Sequence, residues 1–279
     1  MLMHSPWIAA LAALFLWWFS TGVILVAVRR ADRGGAKARL WAVLMYLPLL
    51  VLGAAGFIDT LHNDSVLGIY IAFLSALALW GWVELAFLTG VITGPVQTRL
   101  KDGVPEWERF FRAWGTIAYH ETLLVMMLVA MVILSYGAEN TFGMWTFAVL
   151  FFARVSAKLN LYLGVRKINI EFLPEPLNHL PSHFRIARMN WLFPISITGL
   201  SVAAALWVER LWLADTPGEI VGFALLAALT ALALLEHWFM VLPLPDEKLW
   251  RWMLPERKAG PTTPQNTLAR PRSEDAHGI

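Results

Sequence analysis

Apolar residues run through this chain in blocks of roughly 20, the length at which a helix crosses a hydrocarbon core of about 30 Å. Short polar stretches separate the blocks, which predict seven transmembrane helices over about 6–28, 40–58, 66–93, 113–136, 142–164, 190–209 and 218–242. The expected fold is all-α: a polytopic membrane helix bundle forming one domain over 1–258. No segment repeats with a period of 20–50 residues, which excludes a solenoid. The first block runs into Arg29-Arg30 with no small-residue cleavage site, so it is expected to be a retained anchor rather than a secretory signal. Polar, proline-rich residues 259–279 have too little apolar surface for a core and are expected to form a disordered cytoplasmic tail.

Composition agrees with the pattern. Hydrophobic residues make up 58% and charged residues 15%, against roughly 25% charged in soluble domains. Cysteine is absent, which rules out disulfides, thiolate metal sites and cysteine nucleophiles. The positive charge is unevenly placed. Segments 29–39, 94–112, 165–189 and the chain after 243 hold nearly all the Lys and Arg, while 59–65, 137–141 and 210–217 hold only Arg210. Lys/Arg enrichment marks cytoplasmic loops, which places the N-terminus outside and the C-terminus in the cytoplasm. Tryptophans such as Trp17, Trp41, Trp114, Trp191 and Trp238 fall near expected span ends, where the ring lies in apolar surroundings and its N–H reaches polar ones.

A charge at mid-membrane costs about 2.5–3.5 kcal/mol on insertion scales, so each one calls for a partner or a task. The expected spans carry Glu84, His120, Glu121, Arg154, Lys158, Asn160, Glu236 and His237. At about 1.5 Å per residue, Glu84, His120, Asn160 and His237 all fall roughly 7–15 Å inside the cytoplasmic boundary. Imidazole and carboxylate at one level suit iron, zinc or manganese, and bundle cores build such sites from facing helices. The pairs His120-Glu121 and Glu236-His237 are adjacent, however, and adjacent side chains point about 100° apart on a helix. The metal reading is therefore a single divalent ion on His120, His237 and Glu84, with Asn160 or Glu121 completing or orienting it. Glu121 or Glu236 then serves as the proton-transfer group. A second reading is a salt-bridge network, because Arg154 and Lys158 stand one turn apart on one face and can neutralise Glu84, Glu121 or Glu236. A third is a pigment site with a lone imidazole ligand.

The segment EFLPEPLNHLPSHF, 171–184, joins the fifth and sixth blocks. Pro181 breaks a continuous helix between His179 and His183, and Leu173, Leu177, Leu180 and Phe184 let the segment lie along the headgroups. It is expected to be an interfacial lid beneath the polar cluster, with both histidines near lipid phosphates.

The stretches AYHETLL around His120, SAKLNLYLGV around Asn160, EFLPEPLNHLPSHF running into MNWLFPISIT, and LLEHWFMVLPLPDEKLWRW around His237 stand in this order along the chain. With them the sequence resembles the PuhE family, photosynthetic complex assembly proteins of anoxygenic phototrophic bacteria, up to about Pro255. The resemblance implies a role in building reaction-centre and light-harvesting complexes and an influence on bacteriochlorophyll supply, in the bacterial inner (intracytoplasmic photosynthetic) membrane. The partners it implies are complex subunits, other assembly proteins, pigment and lipid; no nucleic-acid partner is expected. Beside this assembly role stands a membrane metalloenzyme acting on a hydrophobic pigment, quinone or isoprenoid-type substrate.

Overall fold

The computed structural model describes residues 2–101, 103–168 and 173–242. Among them the chain is helical, with one isolated parallel bridge between Val165 and Ile186 and no strand. The expected tail, 259–279, lies outside the described residues, as do Glu171 and Phe172 of the lid.

Helix ends follow local chemistry. Helix α1 (Pro6–Arg33) starts with proline at its first turn, where a missing N–H costs nothing, and ends at Gly34. Gly35 follows with φ +71°, a left-handed conformation that glycine adopts at little cost. Helix α2 (Gly35–Met45) therefore begins at once, and the basic loop expected over 29–39 is a tight helical hairpin. Pro48 has no N–H to give the preceding turn, so the second crossing breaks at Tyr46 into α2 and α3 (Leu47–Asp59). The Ser65 hydroxyl accepts from Gly68 N at 3.1 Å and starts α4 (Val66–Leu88). Helices α7 (Phe142–Leu163) and α8 (Leu192–Trp212) follow, and α9 (Pro217–Phe239) opens with a capping box between Thr216 and Glu219.

The fourth expected span, 113–136, differs most. Two helices, α5 (Glu106–Gly115) and α6 (Ala118–Leu134), meet there at 66°. The bend frees two groups that a continuous helix would pair, and the loop after α4 takes both. The His120 amide donates to the Thr93 carbonyl at 3.0 Å, and the Gly115 carbonyl accepts from Val96 N at 3.1 Å. Among the described residues six elements are long and apolar enough to cross a membrane, counting α2 and α3 together, and the bent α5–α6 pair brings the number to seven if it forms one span.

Helices α4 and α9 are the most enclosed. Ile69, Phe73 and Leu77 of α4 pack with Leu225 and Leu229 of α9 and with Ala9 and Ala13 of α1. Phe147 of α7 joins Leu79 and Val83 of α4, Phe57 of α3 and Leu124 of α6 in a second cluster. Helix α8 lies at the edge, with Phe193 its one buried residue. The lid forms two 3-10 turns, Glu175–Leu177 and Leu180–His183, whose Leu177 and Leu180 pack on Phe87 at the end of α4. Its position is set by apolar contact with the helix end that carries Glu84.

A Cβ at Gly94 would overlap the Gly115 carbonyl oxygen and stand 2.7 Å from the Thr116 carbonyl carbon, neither of which can move aside. Gly94→Ala is expected to cost about 1–3 kcal/mol, read as a lowered thermal unfolding midpoint of the purified protein. Gly199→Ala, which meets nothing within 4 Å, leaves the midpoint at or above wild type.

Candidate functional site

The polar residues expected at one depth gather at one end of the bundle, and α7 sorts them onto different faces. Arg154 and Lys158 are four residues apart and share a face. Arg154 Nη2 donates to Glu84 Oε2 on α4 at 2.9 Å, and Lys158 Nζ pairs with Glu121 Oε1 on α6. His120 lies between the two pairs, its Nε2 3.8 Å from Glu84 Oε1 and 3.9 Å from Glu121 Oε1. Those separations are too long for hydrogen bonds, and neither ring nitrogen of the fully buried His120 bonds to the described residues. The ring packs against Phe87, centroids 4.4 Å apart, and Phe87 is the residue the lid covers.

Another side of α7 carries an uncharged network. His237 Nδ1 donates to the Ala233 carbonyl at 2.8 Å, since a carbonyl can only accept, and in the neutral ring Nε2 then accepts the Ser156 hydroxyl at 2.9 Å. Asn160 donates to the Ser156 carbonyl and to the Ser196 hydroxyl, each at 2.9 Å. Asn190 donates to Asn160 Oδ1 at 3.0 Å and accepts from Leu192 N and Phe193 N, starting α8. His237 and Asn160 thus spend their polar atoms joining α7, α8 and α9. Sequence reasoning did not single out Ser156 or Asn190; an asparagine two residues before an apolar run is a helix-start signal that would have flagged Asn190.

The single-ion arrangement is not assembled. Among the described residues no group of three or more His, Cys, Asp or Glu side chains is placed to hold a metal ion. Depth along the helices put His120, His237 and Glu84 at one level, but both His237 nitrogens bond elsewhere, and the carboxylates of Glu84 and Glu121 are matched one for one by Arg154 and Lys158. No negative charge is left over within that cluster to attract a divalent cation. Glu236, the other proposed proton-transfer group, makes no hydrogen bond or ion pair with the described residues and faces open space.

Two cavities meet beside the network. The larger, about 680 Å³, is open on one side and lined mainly by apolar and aromatic side chains, with Glu121, Lys158, His183 and His237 on its wall. The smaller is about 320 Å³. Arg154 and Glu236 line both, so they stand at the junction.

At the same end, Arg109 of α5 is buried rather than part of a basic surface. Its Nη2 donates to the Tyr162 carbonyl at 2.8 Å and the His183 carbonyl at 3.1 Å, which ties α5 and α7 to the lid. The guanidinium also lies 4.2 Å from the Tyr162 ring centroid. The lid histidines are not at lipid phosphates. His183 is 2% exposed with Nε2 3.4 Å from the Thr98 carbonyl, and His179 is likewise buried.

A family profile described as "Protein of unknown function (DUF3623)" matches residues 3–260. The chain belongs to the DUF3623 family. A Rhodobacter capsulatus relative, described as "Uncharacterized 30.4 kDa protein in puhA 5'region", is 54% identical over 269 residues, covering 96% of this chain and 97% of the relative. No solved structure matches the chain. The stretch shared with the DUF3623 family thus includes all the residues of the charged and neutral networks.

Burial of the lid histidines makes a pH prediction. Desolvation is the largest influence on both and lowers their pKa from the usual value near 6.5; for His183 it outweighs the Thr98 carbonyl, and His179, Arg109 and Arg112 push the same way as desolvation. A depressed folded-state pKa means the unfolded segment takes up protons first as pH falls. The lid is therefore at full stability above about pH 6.5 and loses it as pH falls through that value toward the lower folded-state pKa. Hydrogen exchange of 173–184 is expected to quicken between pH 7.5 and 5.5 after correction for intrinsic rates, and His183→Gln should remove most of that pH dependence.

Proposed function

We propose that this chain is an integral membrane assembly factor for photosynthetic reaction-centre and light-harvesting complexes, linked to bacteriochlorophyll supply, and that it engages its partners without turning over a substrate. The observation that carries the non-catalytic part is the pairing of Glu84 with Arg154 and Glu121 with Lys158. Those ion pairs are spent on joining α4, α6 and α7. A carboxylate held by its own counter-ion is poorly placed to accept a substrate proton.

The photosynthetic setting is supported by the relative named after the puhA 5' region and by the PuhE-like stretches around His120, Asn160 and His237. The partners are complex subunits, other assembly proteins and the surrounding lipid, in the bacterial inner, intracytoplasmic photosynthetic membrane. The bundle lies with its N-terminus outside and the lid on the cytoplasmic side. In support, basic segments expected on that side meet in space: Arg39 lies 3.9 Å from Glu175 of the lid, and Arg185 lies 2.6 Å from Glu106.

A second reading has one observation in its favour, the unbonded nitrogens of His120. It is a membrane metalloenzyme with an iron-like centre on His120, His237 and Glu84, using Glu121 or Glu236 for proton transfer on a hydrophobic pigment, quinone or isoprenoid-type substrate.

Deletion of the gene in a phototrophic host separates the two. The assembly reading expects a lowered yield of assembled complexes, measured by membrane absorption spectra, and expects a His120→Gln variant that accumulates normally to restore it. An unchanged yield on deletion would overturn the reading. A normally accumulating His120→Gln variant that fails to complement, and loses a metal the wild type carries, would favour the metalloenzyme.

A further inference from the structure

The two cavities and the two charged groups at their junction are not used by the assembly reading. A charged side chain in a membrane-spanning segment is costly unless it faces a partner or a polar cavity. Arg154 gives one N–H to Glu84, yet its side chain remains 42% exposed, to the cavities it lines. An arginine carries five N–H donors in a fixed fork, so donors remain for something else. Glu236, on the facing helix α9, has no hydrogen bond or ion pair of its own among the described residues.

We propose that this junction binds a lipid-soluble quinol or quinone, with Arg154 donating to a ring oxygen and Glu236 accepting from the hydroxyl of the reduced head. Three features select that class. Arg154 offers spare N–H donors beside the Glu236 acceptor, and a neutral head that carries both a ring oxygen and an O–H can use the two at once. The walls of the larger cavity present aromatic side chains, Phe110, Trp114, Phe151 and Phe184, suited to a flat ring. Its volume of about 680 Å³ lies inside the range of roughly 300–1,000 Å³ for small-molecule sites, and its open side leaves an apolar tail room to leave the cavity. The bound head is held, and no electron or proton transfer is assigned to it. The site is independent of the assembly role, and neither inference depends on the other.

The test uses the full chain in lipid nanodiscs, with decylubiquinone as quencher of tryptophan emission, since Trp17 and Trp114 line the larger cavity. Saturable quenching is expected, reversed by decylubiquinol at lower concentration, because only the reduced head offers an O–H to Glu236. Glu236→Ala should weaken quinol binding about tenfold or more, the scale of a lost hydrogen bond to a charged group. Among the described residues Glu236 makes no hydrogen bond or ion pair and only feels the charge of Arg154, so the unfolding midpoint of Glu236→Ala should stay close to that of wild type. Glu236→Gln, which keeps the shape and one acceptor oxygen, should lie between the two. Linear, non-saturating quenching would overturn the proposal, as would wild-type quinol affinity in Glu236→Ala. Displacement by geranylgeraniol at the concentrations effective for decylubiquinol would also overturn it, since a hydroxyl on a prenyl tail would then suffice without the ring.

Discussion

A carboxylate inside a bilayer has to meet a counter-charge within reach of its own side chain, and in this chain one helix meets that demand for two others. Helix α7 sends Arg154 to Glu84 on α4 and Lys158 to Glu121 on α6, one turn apart on a single face. Much of the architecture of this end of the bundle follows. The α5–α6 bend places Glu121 in the first turn of α6, with the loop after α4 taking the hydrogen-bonding groups the bend frees. The lid seats on Phe87, which covers His120 between the two pairs. Elsewhere on α7, Ser156 and Asn160 hold α8 and α9 by uncharged hydrogen bonds. The result is a helix whose polar residues are nearly all committed to its neighbours.

That commitment separates what binds from what holds. The ion-paired groups and the neutral network leave Arg154, in part, and Glu236 facing cavities that are otherwise apolar and aromatic. A membrane protein that engages a hydrophobic molecule needs this division: rigid polar ties between helices, and few polar groups in the space they enclose. The lid adds a boundary at this end of the bundle, knotted to α5 and α7 through the buried Arg109.

The seven apolar blocks were legible because crossing a bilayer demands about 20 apolar residues whatever the tertiary contacts. Depth was legible too, since helical rise is fixed. The face each residue occupies was not, and this is why His237 and Asn160 read as candidate ligands beside Glu84 when they belong to a separate network. The bend at 116–117 was hidden by the unbroken apolar run, although Gly115, Thr116 and Ile117 are all weaker helix formers than alanine; the tertiary contact that accompanies it, Gly94 against the Gly115 carbonyl, is not visible in sequence. Arg109 lay in a segment, 94–112, read only as basic and cytoplasmic, and nothing in that sequence tells which of Arg109 and Arg112 turns inward. His179 and His183 read as interfacial, because their burial depends on Leu177 and Leu180 seating on Phe87.

The central claim is that the buried charges exist to pair with one another across α4, α6 and α7. Measuring unfolding of the detergent-purified protein for Lys158→Met, Glu121→Leu and the double variant tests it most directly. The account predicts a loss of about 3–5 kcal/mol for Lys158→Met, which strands the Glu121 carboxylate, and recovery of most of that loss when Glu121→Leu is added. Losses that simply add in the double variant would contradict it, because Lys158 and Glu121 would then be answering to something other than each other.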